Sequence, residues 1–412
     1  MSSESEALAL FELRFSIKPK LMVQAPGRAN LIGEHTDYSM LPVLPMAIDR
    51  GLVLAADEAA EPGIEAASAA YPEAAKIAPG SHSAHGWAKY LEAVLAELGA
   101  AAMNRGARIA IAGDLPPESG LSSSSALTVG AIGLLNELWA LGLDREAIAA
   151  AAIRAERRLG VETGGMDQAA ISFGEAGHAI RIDFQPSARR LIPVPAGWAV
   201  IVASSGEPAP KAGIARQKYN ERVIGTRLAA ALLAEIIGLD PAQTLFLGDV
   251  ASTDVVDLLA EDLPLRATVK DVARATDVLP ARLAELSHSQ FETQVPVLVR
   301  GPAVHVLAEA QRVDAFEAAM LAGDGPAAGA ILAASHASLR DHFACSTPAL
   351  NTLVKAMGKA GAWGARLTGA GFGGFALALA DESAVEAVIE AAVRACGGPA
   401  FVVRPSAGWR IL

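Results

Sequence analysis

Apolar positions alternate over short runs in the first half of the chain and recur at helical spacing through much of the second. Residues 21–24, 51–56 and 108–111 read as strands. Residues 87–98 place Tyr90, Leu91, Val94, Leu95 and Leu98 on one side of a helix. Residues 126–141 and 145–159 read as two more helices, and 178–184, 190–194 and 198–204 as successive strands. A Pro/Gly/Ala-rich stretch, 59–80, reads as surface loop with short strands. From 211 to about 357 the pattern is mainly helical. Strand-like runs at 364–368 and 375–380 then flank a glycine-rich corner, before a helix at 384–396 and a last strand at 400–405. Helices and antiparallel strands come in blocks, without regular strand–helix–strand alternation, so the expected class is α+β. The expected domain boundary lies near 195–205, giving domains 1–198 and 199–412.

Composition sharpens this picture in three ways. With 412 residues, two or three domains are expected. Hydrophobic residues make up 52 % and aromatics only 5 %, so the excess is aliphatic, as in packed alanine-rich helices. Lys+Arg is 34 against Asp+Glu 45, a net charge of −11, which argues against nucleic acid or an anionic membrane as partner. An anionic substrate would need local positive potential. The longest apolar runs, 228–234 and 126–135, fall short of the ~20 residues of a spanning helix. Residues 1–15 hold several acids and no basic region followed by an apolar block, so no secretory signal is expected. Two cysteines, Cys345 and Cys396, exclude a disulfide scaffold and fit a cytoplasmic location.

Three motifs carry chemistry. The first, Ala25-Pro26-Gly27-Arg28-Ala29-Asn30-Leu31-Ile32-Gly33-Glu34-His35-Thr36-Asp37-Tyr38, follows an apolar strand, and its Pro-Gly pair reads as a turn. Its charges are poor core material. They form either a solvated loop with internal salt bridges or a polar pocket able to bind hydroxyls. The second, Gly120-Leu121-Ser122-Ser123-Ser124-Ser125, runs straight into an apolar helix. Free N–H groups at a helix start make an anion site, and serine hydroxyls can bind phosphate oxygens or Mg²⁺. The alternative is a plain N-capping serine run. The third, Thr368-Gly369-Ala370-Gly371-Phe372-Gly373-Gly374, matches Gly-x-Gly-x-x-Gly in form, but a strand-like run follows where that motif opens a helix. The glycines then let a backbone turn pass close to another loop or to phosphates, or form a hairpin. Between the last two lies Glu156…Gly164-Gly165-Met166-Asp167-Gln168, a carboxylate after two glycines that is either a helix cap or a pocket-wall group.

In this order the motifs resemble the GHMP small-molecule kinases, and within them the galactokinase family. The likeness also takes in Leu44-Pro45-Met46-Ala47-Ile48, Tyr219-Asn220-Glu221-Arg222 and the run Ser335-His336-Ala337-Ser338-Leu339-Arg340-Asp341. The resemblance implies a two-domain GHMP kinase fold: a ribosomal-protein-S5-like N-terminal domain and a ferredoxin-like C-terminal one, with ATP between them. It implies Asp167 as the base for the anomeric hydroxyl and Arg28 beside it. Glu34, His35, Thr36, Asp37 and Gly165 would bind the sugar, with Tyr219 closing the pocket. Gly120, Leu121, Ser122, Ser123, Ser124 and Ser125 would wrap the ATP phosphates, with Trp87 on the adenine side and Gly371 in the glycine loop. Ser124 and Glu156 would hold Mg²⁺, with Glu162 as the other carboxylate in range.

The chemistry fits phosphoryl transfer, which needs positioning and charge stabilisation more than covalent help. A fixed Arg28 can lower the pKa of Asp167 and steady the transferred group. The resemblance implies ATP and a small-molecule sugar as ligands and Mg²⁺ as cofactor; the oligomeric state, monomer or weak dimer, stays open. The sequence departs from the family at Ser39-Met40-Leu41, where Asn and glycines are usual, at Thr163-Gly164 in place of Cys-Gly, and by one residue in the Glu156–Asp167 spacing. D-galactose phosphorylated at O1 is the leading reading. Another sugar (an aminosugar, a pentose or a uronic acid) and a non-catalytic sugar and ATP sensor remain open.

Overall fold

The computed structural model describes residues 2–116, 120–160, 163–208, 214–251, 256–285 and 294–412. They form two compact units, Met1–Ala29 with Met46–Ala179 and Arg404–Leu412, and Asn30–Pro45 with Ile180–Val403.

The first unit contains α1 (Ser3–Phe15), β1 (Leu21–Ile32), β2 (Leu44–Ala59), β3 (Gly63–Ser68), β4 (Tyr71–Ile77), α2 (Ala88–Leu98), β5 (Gly106–Gly113), α3 (Ser123–Trp139), α4 (Arg145–Arg158) and α5 (Met166–Phe173), with β1 and β2 running on into the second. Its sheet runs from the C-terminal strand Arg410–Ile411 through β1, β2, β5 and β3 to β4, with β3 parallel to β5. Strand alternation divides the faces. Val53 and Ala55 of β2 pack with Ala110 and Ala112 against Ala7 and Phe11 of α1. Leu54 faces the other way, toward α3, where a Cβ at Gly130 would stand 2.8 Å from Ala25 Cβ and 3.1 Å from Leu54 Cδ1. The missing side chain at Gly130 thus lets α3 lie close on the sheet, and α3 is buried almost all round.

The second unit holds most of β6 (His178–Phe184), which begins in the first, then β7 (Ser187–Pro193), β8 (Trp198–Ser204), α6 (Ile214–Ile237), α7 (Val256–Asp262), β9 (Arg266–Ala267), α8 (Val269–Thr276), α9 (Pro280–Glu285), β10 (Val297–Leu298), α10 (Arg300–Ala322), α11 (Gly325–Asp341), α12 (Pro348–Lys359), β11 (Gly364–Thr368), β12 (Phe375–Asp381), α13 (Val385–Cys396) and β13 (Ala400–Val403). An antiparallel sheet of order β11-β12-β8-β13 is its frame. Among the described residues no helix is long and apolar enough to cross a membrane.

The α+β class expected from the pattern is the one found. Two local expectations change. Pro26 and Gly27 do not make a turn; they lie within β1. Gly27 is needed there because a Cβ would meet Leu121 O at 2.7 Å. The compact units also do not follow a division at 198/199. Residues 30–45 go with the second unit, where Val43 bridges Ile182, and 404–412 with the first, where Pro405 bridges Ile48. Such exchanges rest on long-range backbone pairing, which local periodicity does not record.

Candidate active site

In the first unit, Gly165 caps α5 in the left-handed region, at φ 110°, and Asp167 follows in the first turn. Arg28 projects from β1 and is 5 % exposed. Its Nε donates to Asp167 Oδ1 at 2.7 Å and its Nη1 to the Gly120 carbonyl at 2.5 Å, while its backbone N–H donates to Leu121 O at 3.1 Å. One guanidinium therefore holds the carboxylate and the serine loop together. The pair is mostly withdrawn from water, where an ion pair is screened less than at the surface.

Ser122 sits at the N-cap of α3 with φ 62°, yet its side chain makes no cap bond; its hydroxyl donates to Asp167 Oδ2. Ser125 Oγ lies 3.5 Å from the same oxygen. The capping alternative thus fails for Ser122, and the two hydroxyls grouped with the phosphates face Asp167. Residues 117–119 of this loop, and the alternative carboxylate Glu162, lie outside the described residues.

Glu156 is buried on α4, and its Oε1 accepts from Thr128 Oγ1 at 3.1 Å and Gln168 Nε2 at 3.0 Å. Thr128 stands four residues after Ser124 on α3, hence on the same face. Gln168 is the neighbour of Asp167 on α5. Ser124 and Glu156 are hard oxygen donors on adjoining helix faces, a donor set that suits Mg²⁺. Among the described residues no group of three or more His, Cys, Asp or Glu could hold a metal, so phosphate oxygens or water would complete such a site. Trp87 precedes α2 and stacks on Tyr71, with ring centroids 6.2 Å apart.

Gly165 offers a direct test. A Cβ there would lie 2.8 Å from Ile153 Cδ1, and its φ suits only glycine. Gly165→Ala is expected to cost about 1–3 kcal/mol and to displace the turn that aims Asp167. A thermal melt with a kcat measurement checks it; an unchanged Tm and kcat would show that the turn tolerates a side chain.

In the second unit, the signature residues pack among buried polar groups. Glu34 Oε2 accepts from Arg366 Nη1 at 2.6 Å and Asn30 Nδ2 at 3.0 Å, and Oε1 accepts from the Gly369 N–H at 2.9 Å. The Thr36 hydroxyl lies 2.9 Å from Gly33 O and 2.7 Å from Pro42 O, closing the turn. Asp37 opens the 3₁₀ turn Asp37–Ser39 and is 8 % exposed.

His35 stacks on Phe343 at 4.1 Å, with Tyr219 of α6 at 5.7 Å. Burial holds the His35 pKa well below the usual imidazole range, so the ring is neutral, and burial likewise raises the Tyr38 phenol. Among the described residues His35 Nε2, Tyr38 OH and Ser39 Oγ are buried without a protein partner. Leaving such groups unmet is costly.

The glycine loop turns tightly, with Gly369, Gly371, Gly373 and Gly374 all at positive φ. A Cβ on Gly371 would stand 2.6 Å from Cys345 O. Strand β12 follows at once, so the loop is not a dinucleotide motif.

Three residues the motifs did not flag stand at the heart of this cluster, Arg366, Glu309 and His305, each fully buried. Burial works to raise the Glu309 carboxyl, and His305, Arg366, Arg312 and Ser335 outweigh it, holding it below the ordinary range. The available signal was ionisable residues set inside apolar runs, with His305, Glu309 and Arg312 on one helix face.

Comparison with known proteins gives three family-model matches: the galactokinase galactose-binding signature at 9–58, the GHMP kinases N terminal domain at 87–175 and the GHMP kinases C terminal at 315–398. The galactokinase of Chloroflexus aggregans is 35 % identical over 399 residues, covering 94 % of this chain and 91 % of its own. The chain belongs to the galactokinase family. The galactokinase of Streptomyces coelicolor is also 35 % identical, over 420 residues, covering 98 % and 97 %. Among solved structures, Lactococcus lactis galactokinase complexed with galactose superposes with a TM-score of 0.79 at 28 % identity over 100 % of both chains. Methanococcus jannaschii mevalonate kinase, at 18 % identity and TM-score 0.60 over 93 % of this chain and 98 % of its own, shares the fold. The two-domain GHMP kinase fold that the motifs implied is thus the fold of this family member.

Proposed function

We propose that this member of the galactokinase family transfers the γ-phosphoryl group of ATP to the anomeric O1 hydroxyl of D-galactose, giving galactose 1-phosphate and ADP. The observation that carries the chemistry is the Arg28–Asp167 pair, 2.7 Å apart, with Arg28 also tied at 2.5 Å to the Gly120 carbonyl at the start of the serine loop. Asp167 receives the O1 proton as the sugar oxygen attacks. Arg28 pairs with the Asp167 carboxylate and supplies a fixed cation for the transferred group. The N–H groups opening α3, with Gly120, Leu121 and Ser123, take the phosphates, Trp87 takes the adenine side, and Gly371 lets the glycine loop lie close. Ser124 and Glu156 would hold Mg²⁺, which offsets phosphate charge when bound.

On the sugar side, Glu34, His35, Asp37, Gly165 and Tyr219 provide the contacts, and Thr36 shapes the turn that carries them. Asp37 reads the C4 configuration. A site built on such hydrogen bonds rejects a misfit sugar strongly, because an unpaired buried carboxylate is expensive. The second reading, another sugar, rests on Ser39-Met40-Leu41, where Met40 takes a left-handed φ of 62° usually left to glycine. The Arg28–Asp167 pair disfavours a non-catalytic sensor, which needs only to bind.

A coupled ADP-release assay across hexoses, aminosugars, pentoses and uronic acids tests the substrate. Galactose is expected to give the highest kcat/KM, with glucose far behind; a pentose or uronic acid ahead of galactose would establish the second reading. Ser124→Ala and Glu156→Ala should raise the Mg²⁺ concentration needed for half-maximal rate while leaving sugar affinity unchanged. An unmoved Mg²⁺ titration in Glu156→Ala would place the metal carboxylate elsewhere.

A further inference from the structure

Three buried side chains of the second unit converge on one peptide of the sugar signature. Gly33 turns there with φ 91°, and its N–H and that of Glu34 both donate to Glu309 Oε1, at 3.2 Å and 3.4 Å. The Ser335 hydroxyl of α11 donates to the same oxygen at 2.7 Å, and Arg312 holds Oε2 at 2.8 Å. One turn earlier on α10, His305 Nε2 lies 3.1 Å from the Glu34 carbonyl and Nδ1 lies 2.9 Å from Ser338 Oγ. A carbonyl only accepts, so Nε2 carries the proton and Nδ1 accepts from the serine. From β11, Arg366 donates to the Glu34 carboxylate at 2.6 Å, to Leu31 O at 3.0 Å, to Leu367 O at 2.8 Å and to Asn30 O.

Glu34 is therefore fixed at its N–H, its carbonyl and its carboxylate by groups that water does not reach. Ionised groups with no exposure are costly unless every partner is in place, and apolar side chains would join a helix to a sheet at no such cost. We propose that Glu309 and Arg366 are positioning residues that hold the main chain and carboxylate of Glu34 in the sugar-binding arrangement before sugar arrives. Neither touches the substrate; both act through Glu34. Arg366 matters for its fork, since four donor contacts in fixed directions are beyond a lysine ammonium with three donors on a flexible stem. The inference rests on the sugar-kinase reading above.

The test compares Glu309→Gln and Arg366→Lys with wild type, in steady-state kinetics and in calorimetric titrations of sugar and of ATP separately, using whichever sugar of the panel the wild type phosphorylates. The wild-type results alone judge the galactose reading; the variant-to-wild-type ratio judges the clamp. A misplaced binding group is expected to raise the sugar KM about 10–100-fold, with the ATP KM within about twofold of wild type. A purely structural role would instead lower Tm and the active fraction, reducing kcat while both KM values stay put. That result, or equal weakening of sugar and ATP, overturns the proposal. If Arg366→Lys does not fold, Glu309→Gln, which keeps side-chain volume and one acceptor, carries the same test.

Discussion

Asp167→Asn is expected to lower the single-turnover rate by about 10²–10⁴-fold or more while sugar and ATP still bind. The substitution keeps shape and an acceptor for Arg28 Nε, now 2.7 Å from Oδ1. It removes the lone pair that takes the O1 proton, and it replaces the Oδ2 that accepts the Ser122 hydroxyl. Arg28, 5 % exposed, loses its counter-charge, so a lower Tm should accompany the rate loss. Single-turnover kinetics beside calorimetric titration of each substrate separates the two effects. A rate near that of wild type would remove Asp167 from the proton-transfer step.

The second large effect is acid sensitivity. Burial carries the pKa of His305 and His336 from the ordinary 6.5 down to about 4, and holds His35 well below the usual range. The unfolded chain takes up these protons as pH falls through about 6.5, and the folded chain does so only near pH 4. Unfolding therefore binds protons in that window, and stability falls as pH falls. Each of the two histidines near 4 contributes up to roughly 3 kcal/mol to this loss. Glu309, held below its ordinary pKa, adds to the loss below about 4.5 with the same sign. The two histidines together amount to about 6 kcal/mol, a large part of a typical stability of about 5–15 kcal/mol, so stability at pH 4 is expected to be much reduced. Denaturant midpoints at pH 7.5, 6.5, 5.5 and 4.5 should fall steadily below 6.5; a flat profile to pH 5 would mean that these rings are charged, or solvated, in the native state.

Much of the site was legible because its signals are local. Arg28 stands in a dense run of charges that follows an apolar strand, Asp167 follows two glycines, and four serines precede an apolar helix. What escaped is long-range. The helix α1 buries only Ala7 and Phe11 along its 13 residues, too thin a stripe to read. Arg366 sits in a strand otherwise indistinguishable from core, and its partner Glu34 is 332 residues away. The hydroxyl of Ser122 reads as a cap or a phosphate ligand until the fold sets Asp167, 45 residues on, within its reach.

The central claim, phosphoryl transfer from ATP to O1 of galactose, is tested most directly by a phosphorus-31 spectrum of the product formed from galactose, ATP and Mg²⁺. One phosphomonoester signal coupled to the anomeric proton, with ADP formed in equal amount, is the predicted result. ADP without a sugar phosphate, phosphate on another carbon, or no product from galactose while another sugar reacts would contradict it.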